Sequence, residues 1–140
     1  MRGTLICMIA LFCVSPAWAQ LFKVSDLHVK SEALLKEAKA TASSEERAKK
    51  LGQLKALIES ARTEYDKKFP AGGNPDKFEI SMFFHNLDPV FKQVEGKKDK
   101  AACDRTEGKI TSADAQGRPE GAPLTKNAAI ALEWLQLFCK

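Results

Sequence analysis

Five apolar side chains between positions 51 and 65 repeat at intervals of three and four residues, and this pattern constrains the fold more than any other in the chain. The spacing places all five on one side of an α-helix, where they can pack against neighbouring helices. Ser43 and Glu46 have the spacing of a capping box, which predicts that the helix begins there. Phe69-Pro70 and the two glycines that follow predict its end. The five side chains belong to Leu51, Leu54, Ile58, Ala61 and Tyr65.

Two further helices are predicted towards the ends of the chain. The first begins with Ser25 as its cap and runs to about Ala40, although its apolar stripe contains one polar member, Ser31. The last begins with Thr125 as its cap and runs to Phe138. This last segment has so little polar surface that a position in the middle of a bundle is expected.

Another helix is predicted to begin at Asn74-Pro75, where asparagine can cap it and proline can occupy its first turn. Apolar residues cover more than half of its circumference, and Gly96 ends it. Proline lacks the backbone N–H that a helix interior requires. Pro89 therefore predicts a kink or a restart, with Asp88 available as the new cap.

The segment from 97 to 123 has the weakest pattern. A short helix is predicted around 99–107, followed by an irregular exposed loop around 108–123, because glycines and prolines interrupt any longer element. No segment alternates apolar and polar residues as a strand does. The sequence thus predicts an all-α fold, an antiparallel bundle of four main helices plus a short fifth, forming a single domain over residues 20–140.

The first nineteen residues have the pattern of a signal peptide. Arg2 supplies a positive start, Leu5 to Val14 is an uncharged and mostly apolar run, and Ala17-Trp18-Ala19 is typical of a cleavage site. The apolar run is too short to cross a bilayer core of roughly 30 Å as a helix. We therefore predict export to the periplasm or secretion, with cleavage before Gln20 and no stable membrane insertion afterwards.

Export predicts a disulfide. Cleavage removes Cys7 and Cys13 and leaves Cys103 and Cys139, which lie 36 residues apart. In an oxidising compartment two cysteines most simply pair with each other. Closing a loop of this length contributes about 4 kcal/mol in the chain-entropy description, which is an upper figure. Pairing between two molecules through Cys139 is the alternative.

Catalytic and cofactor motifs are absent from the sequence. There is no GxSxG, phosphate-binding loop, HExxH or metal-binding cysteine set, so catalytic activity is not predicted. In length, predicted export and helix pattern the chain resembles the periplasmic four-helix cytochromes, but it lacks their CxxCH motif. Met82 and His85 lie on one predicted helix and could not clasp opposite faces of a haem iron. No cofactor is therefore predicted, and the net charge of +4 is too mild to predict nucleic-acid binding.

The two histidines offer one metal hypothesis. His85 lies three residues before Asp88, and His28 lies four residues before Glu32. If the first and third predicted helices packed face to face, the imidazoles of His28 and His85 and the carboxylates of Asp88 and Glu32 could converge on zinc or copper. The alternative is that both histidines are ordinary polar positions near the surface.

An aromatic set on the third predicted helix is the main functional candidate. Phe83 and Phe84 are adjacent and point about 100° apart, so both cannot face one narrow seam. The leading hypothesis is a non-catalytic periplasmic or secreted protein that binds another protein or a small apolar ligand through this face, near the 97–123 segment. The alternatives are a small-ligand or metal carrier, and a set that is simply core. The set comprises Phe78, Phe83, Phe84 and Phe91.

Overall fold

The computed structural model describes residues 21–139 of the chain, and this range contains five α-helices. No strand occurs within this range, and the prediction of an all-α bundle is confirmed. The predicted signal peptide, residues 1–19, lies outside the described residues. The helices are α1 Val24–Ala40, α2 Ser44–Lys68, α3 Pro75–Glu95, α4 Lys100–Ala115 and α5 Lys126–Phe138.

Side-chain caps fix the starts of α2, α3, α4 and α5. In each helix the capping side chain accepts a hydrogen bond from the backbone N–H three residues later, which satisfies one of the donors left over at a helix start. This confirms three predicted caps and adds a fourth, Asp99. The capping residues are Ser43, Asn74, Asp99 and Thr125.

The predicted cap of α1 is wrong. The helix begins at Val24, so Ser25 already lies inside its first turn, and Lys23 occupies the capping position. The Asp26 carboxylate accepts the Lys23 backbone N–H at 2.9 Å. A carboxylate in the first turn, close to the positive end of the helix dipole, also stabilises the helix start.

The core lies along the stripe that the sequence predicted on α2. All five of its members are buried, and they pack with apolar side chains of the other helices in one cluster. Helices α3 and α5 contact every other helix, which agrees with their apolar composition. Helix α4 contacts only α3 and α5, so it lies at the flank of the bundle.

Pro89 does not interrupt α3. The helix is continuous from Pro75 to Glu95, so the predicted restart is wrong, and Asp88 pairs with Lys92 at 2.7 Å instead of capping a new helix. Proline removes one backbone N–H, which costs one intrahelical hydrogen bond. Two nearby side chains of the helix, Leu87 and Val90, are fully buried, and this packing holds the helical path.

Helix α4 is longer than the sequence predicted. It continues through Gly108 to Ala115, so only residues 116–125, the α4–α5 connection, are irregular. The predicted loop over 108–123 is therefore wrong in its first half. The buried residues of α4 recur at helical spacing, but two of the four are polar. A search for apolar periodicity therefore does not detect this stripe. The four are Cys103, Thr106, Ile110 and Asp114.

The predicted disulfide between Cys103 and Cys139 is confirmed, with the two Cα atoms 6.0 Å apart. It joins the first turn of α4 to the residue that ends α5. The bond therefore ties the flanking helix to a central one. Among the described helices, none has an apolar stretch long enough to cross a membrane.

Candidate functional site

Two large apolar side chains of α3 face solvent. Phe78 is 67% exposed and Met82 is 39% exposed, although other residues of the same helix are fully buried. The two lie four residues apart and His85 follows three residues later, so the three form one outward-facing row. A single exposed apolar residue is ordinary on a protein surface, whereas two on adjacent turns beside a cavity form a local apolar surface.

The α4–α5 connection faces this row across a cleft of about 460 Å³, which we call the Phe78 cleft. Phe78 and Met82 line one side, together with the polar side chains of Glu79, His85 and Asn86 from the same helix. Gln116, Gly117 and Arg118 line the other, together with Ala113 of α4 and Asn127 of α5. The cleft thus combines exposed apolar surface with polar groups, the arrangement by which binding sites combine affinity with orientation.

Asp114 holds the polar side of the cleft together. Its side chain is only 2% exposed, and its carboxylate forms an ion pair with Arg118, with Nε and Oδ2 2.6 Å apart. It also accepts the hydroxyl and the backbone N–H of Thr125, the residue that caps α5. Arg118 in turn donates to the Ala122 carbonyl. One buried carboxylate therefore fixes the end of α4, the connection and the start of α5.

His28 belongs to the interior beneath the cleft. Its ring is 8% exposed and lies edge-on against Phe83, with ring centroids 4.8 Å apart. Nε2 of His28 and Oδ1 of Asn127 are 2.6 Å apart, which places the imidazole N–H as donor to the amide oxygen. Asn127 therefore lines the cleft while it is held from behind by α1.

The predicted metal ligands His28, His85 and Asp88 do not converge. Within residues 21–139, no three His, Cys, Asp or Glu side chains are grouped to hold an ion. The reason lies in helix geometry: Phe83 marks the side of α3 that faces His28, and His85 is two residues further on, about 200° around the helix. His85 is exposed, and Asp88 is paired with Lys92.

The predicted aromatic set divides between three environments. Phe83 is fully buried in the core, and Phe78 lines the cleft. Phe84 and Phe91 lie against each other with centroids 5.7 Å apart, on the side of α3 that meets α2. There the guanidinium of Arg62 lies 4.4 Å from the Phe84 ring centre, a cation–π contact. As predicted, Phe83 and Phe84 face different surroundings: Phe83 lies in the core, whereas Phe84 meets α2.

Several residues of the cleft were not identified from the sequence as a site. Met82 carries a signal in hindsight, because it follows Phe78 by one helical turn. Asp114 and Arg118 have the spacing of an ion pair on a helix. This signal was missed because residues 108–123 were predicted to form a loop. Asn127 carries no local signal, since its partner His28 is 99 residues away in sequence.

Helix packing, the cap of α5 and the Asp114 contacts position the side chains of the cleft, and its chemistry is that of a binding surface that combines apolar and polar groups. No protein-family model, curated protein or solved structure matches this chain.

Proposed function

We propose that this is an exported, non-catalytic binding protein of the periplasm or the secreted fraction, which holds an apolar side chain of a protein partner in the Phe78 cleft. The observation that carries the proposal is the 67% exposure of Phe78 at the edge of a cavity of about 460 Å³. Aromatic and methionine side chains that are exposed at such an edge gain free energy when a partner covers them.

The polar groups of the cleft support binding in preference to catalysis. The Asp114 carboxylate is engaged by Arg118 and Thr125, and the Asn127 amide oxygen is engaged by His28. Groups that are held in this way orient a partner. The other titratable side chains of the lining are Glu79 and His85, and the lining contains no Ser, Cys or Lys side chain that they could activate as a nucleophile. Met82 adds adaptability, because a flexible thioether side chain can follow the shape of different partners.

Export is supported by the leader pattern of residues 1–19 and by the paired cysteines. A disulfide persists in the periplasm or outside the cell and is rare in the cytoplasm. Carriage of a small ligand is the second candidate function. It draws on the size of the cleft, which lies within the roughly 300–1,000 Å³ of small-molecule sites.

Site-specific photocrosslinking tests the protein-binding function. A photoreactive phenylalanine analogue is placed at position 78 of the full chain, which is expressed with its own leader in the native host. The matched control carries the analogue at Val29, which is 64% exposed on α1 and does not line the cleft. We expect the analogue at position 78 to form one discrete protein adduct, and the analogue at position 29 to form none. An excess of unlabelled protein should suppress this adduct, whereas an excess of Phe78→Ala protein should not.

Equal adducts from both positions, or none from position 78, would contradict the proposal. Intact-mass measurement of the same material tests export: we expect a chain that begins at Gln20 and has lost two hydrogens to the disulfide. A chain that keeps residues 1–19 would contradict export. Under native conditions, a bound small molecule that Phe78→Ala releases would favour the carrier function instead.

A further inference from the structure

A second concave surface lies between α3 and α4, and it differs from the Phe78 cleft in its charge. This groove has a volume of about 470 Å³ and runs beside the second half of α3, from His85 to Gly96. Its other side is formed by α4 between Ala102 and Ala113. The two cavities adjoin at His85, Asn86 and Ala113, but Phe78 and Met82 line only the cleft.

Basic side chains dominate the groove. Lys92, Lys97, Arg105 and Lys109 line it, whereas Asp88 is the acidic residue in its lining and is already paired with Lys92. The other three cations form no ion pair with any carboxylate of residues 21–139. The chain as a whole carries a formal charge of only +4, so this concentration is a local property.

Helix α4 separates its charges between two sides. Arg105 and Lys109 are one turn apart and line the groove. Asp104 lies on another side of the helix, where its carboxylate binds Lys100 at 2.7 Å. The hydrogen bond and charge of Asp104 raise the pKa of Lys100, and the charge of Glu107 adds to this effect, so both acids belong to the Lys100 side. Positive potential is therefore focused in the groove and is not cancelled along the helix.

The floor of the groove is held in place before any ligand arrives. Thr106 and Gln93 are both buried, and the threonine hydroxyl donates to the glutamine oxygen at 2.6 Å. The amide nitrogen of Gln93 donates to the backbone carbonyl of Lys97, which fixes the backbone of one of the three unpaired cations. Pre-organised groups lower the entropy cost of binding.

The groove also has apolar surface, from Pro89, Ile110 and Ala113. Three unpaired cations beside this apolar surface suit a ligand with a short carbon skeleton and two or three negative charges. Arg105 can bind a carboxylate or phosphate through two parallel hydrogen bonds, and lysines add point charges. The lining contains no Phe, Tyr or Trp, which argues against single-stranded nucleic acid, since that ligand uses stacking platforms.

We propose that the α3–α4 groove binds a small soluble organic anion that carries phosphate or carboxylate groups, through Lys97, Arg105 and Lys109. This site goes beyond the proposed function and does not depend on Phe78.

Isothermal titration calorimetry of the mature, disulfide-bonded protein tests the site with citrate and glycerol 3-phosphate, and with glycerol as the neutral match. We expect saturable binding of one or both anions at one site, which weakens as salt is added, and no binding of glycerol. The double variant Arg105→Gln/Lys109→Gln should weaken anion binding by about tenfold or more, because two of the three unpaired cations are lost. The Phe78→Ala variant should bind the anion as the unaltered protein does.

The matched control is Lys36→Gln/Lys49→Gln, which removes two exposed charges that lie outside the groove. Its anion affinity should stay within about twofold of the unaltered protein, and both double variants should melt within a few degrees of it. Equal losses in the two double variants would show non-specific charge attraction and overturn the proposal. Absence of saturable binding by either anion would also overturn it. A third outcome would overturn the proposal as well: the protein binds phosphatidylglycerol vesicles through Arg105 but does not bind soluble glycerol 3-phosphate. That result would assign the groove to a lipid headgroup.

Discussion

Ser31 shows at the scale of one residue why a polar position can strengthen a core. In the sequence it interrupts the apolar stripe of α1. In the structure it is fully buried, and its hydroxyl accepts the indole N–H of Trp134 at 3.0 Å. A buried indole N–H needs an acceptor, because leaving it without one costs its full desolvation. The two residues lie 103 positions apart, so helical periodicity could not connect them.

Substitution of Ser31 by alanine should destabilise the protein by about 1–3 kcal/mol, because the Trp134 N–H would be left buried without an acceptor. Chemical denaturation monitored by circular dichroism measures the change. The control Ser60→Ala alters an exposed serine of α2 and should change stability by no more than about 0.5 kcal/mol.

A double variant tests the reason for that loss. When Trp134→Phe already removes the indole N–H, Ser31→Ala should cost clearly less than it does alone, because no donor remains unsatisfied. Equal costs in the two backgrounds would mean that the serine acts through packing, and not through this hydrogen bond.

At the scale of elements, α2 was predictable over its whole length and α4 only in its first half, and the difference lies in what their buried sides contain. The stripe of α2 consists of aliphatic residues and one tyrosine, so its period is visible. Half of the buried stripe of α4 is Thr106 and Asp114, whose partners Gln93, Arg118 and Thr125 were unknown from the sequence. In addition, Gly108 predicted that the helix ends there, whereas α4 continues through this residue.

Two glycine substitutions on either side of the true helix end should have opposite effects. Gly108 lies inside α4 with open space around the position of a Cβ, so Gly108→Ala should stabilise the protein by about 0.5–1 kcal/mol. Gly121, in the α4–α5 connection, has a φ of +78°, a conformation that alanine adopts with strain. Gly121→Ala should therefore destabilise the protein by about 1–2 kcal/mol.

Thermal melting of the two variants beside the unaltered protein decides this prediction. If both substitutions shift the melting temperature in the same direction, the difference in backbone conformation does not govern their stability. If Gly108→Ala is clearly destabilising, α4 does not continue through this position as described.

At the scale of the whole molecule, the fold class and the disulfide were predictable, whereas the candidate site was predictable only in part. Only two cysteines remain once the predicted leader is removed, so their pairing needed no structural information. Phe78 belonged to the predicted aromatic set, but its exposure follows from how α3 meets α2, α4 and α5 together. The basic groove depends on the register between α3 and α4, which no local pattern specifies.

The disulfide should stabilise α4 more than any other helix, because α4 has the fewest neighbouring helices. Helix α4 contacts only α3 and α5, and Ile110 is its one apolar side chain in the core cluster of the described residues. The double variant Cys103→Ser/Cys139→Ser should lower the free energy of unfolding by at most about 4 kcal/mol, the chain-entropy figure for a loop of this length. It should also let α4 open locally, because the tie to α5 is lost.

Native-state hydrogen exchange separates these two effects. Loss of chain constraint alone changes only the unfolded state, so the most protected amides of every helix should lose the same free energy of opening. Local opening of α4 instead predicts that its amides lose protection well beyond those of α2. We expect the second pattern, accompanied by weaker anion binding in the α3–α4 groove, since α4 carries Arg105 and Lys109. A uniform loss of protection in all five helices would show that polar contacts such as Thr106–Gln93 suffice to hold α4 without the disulfide.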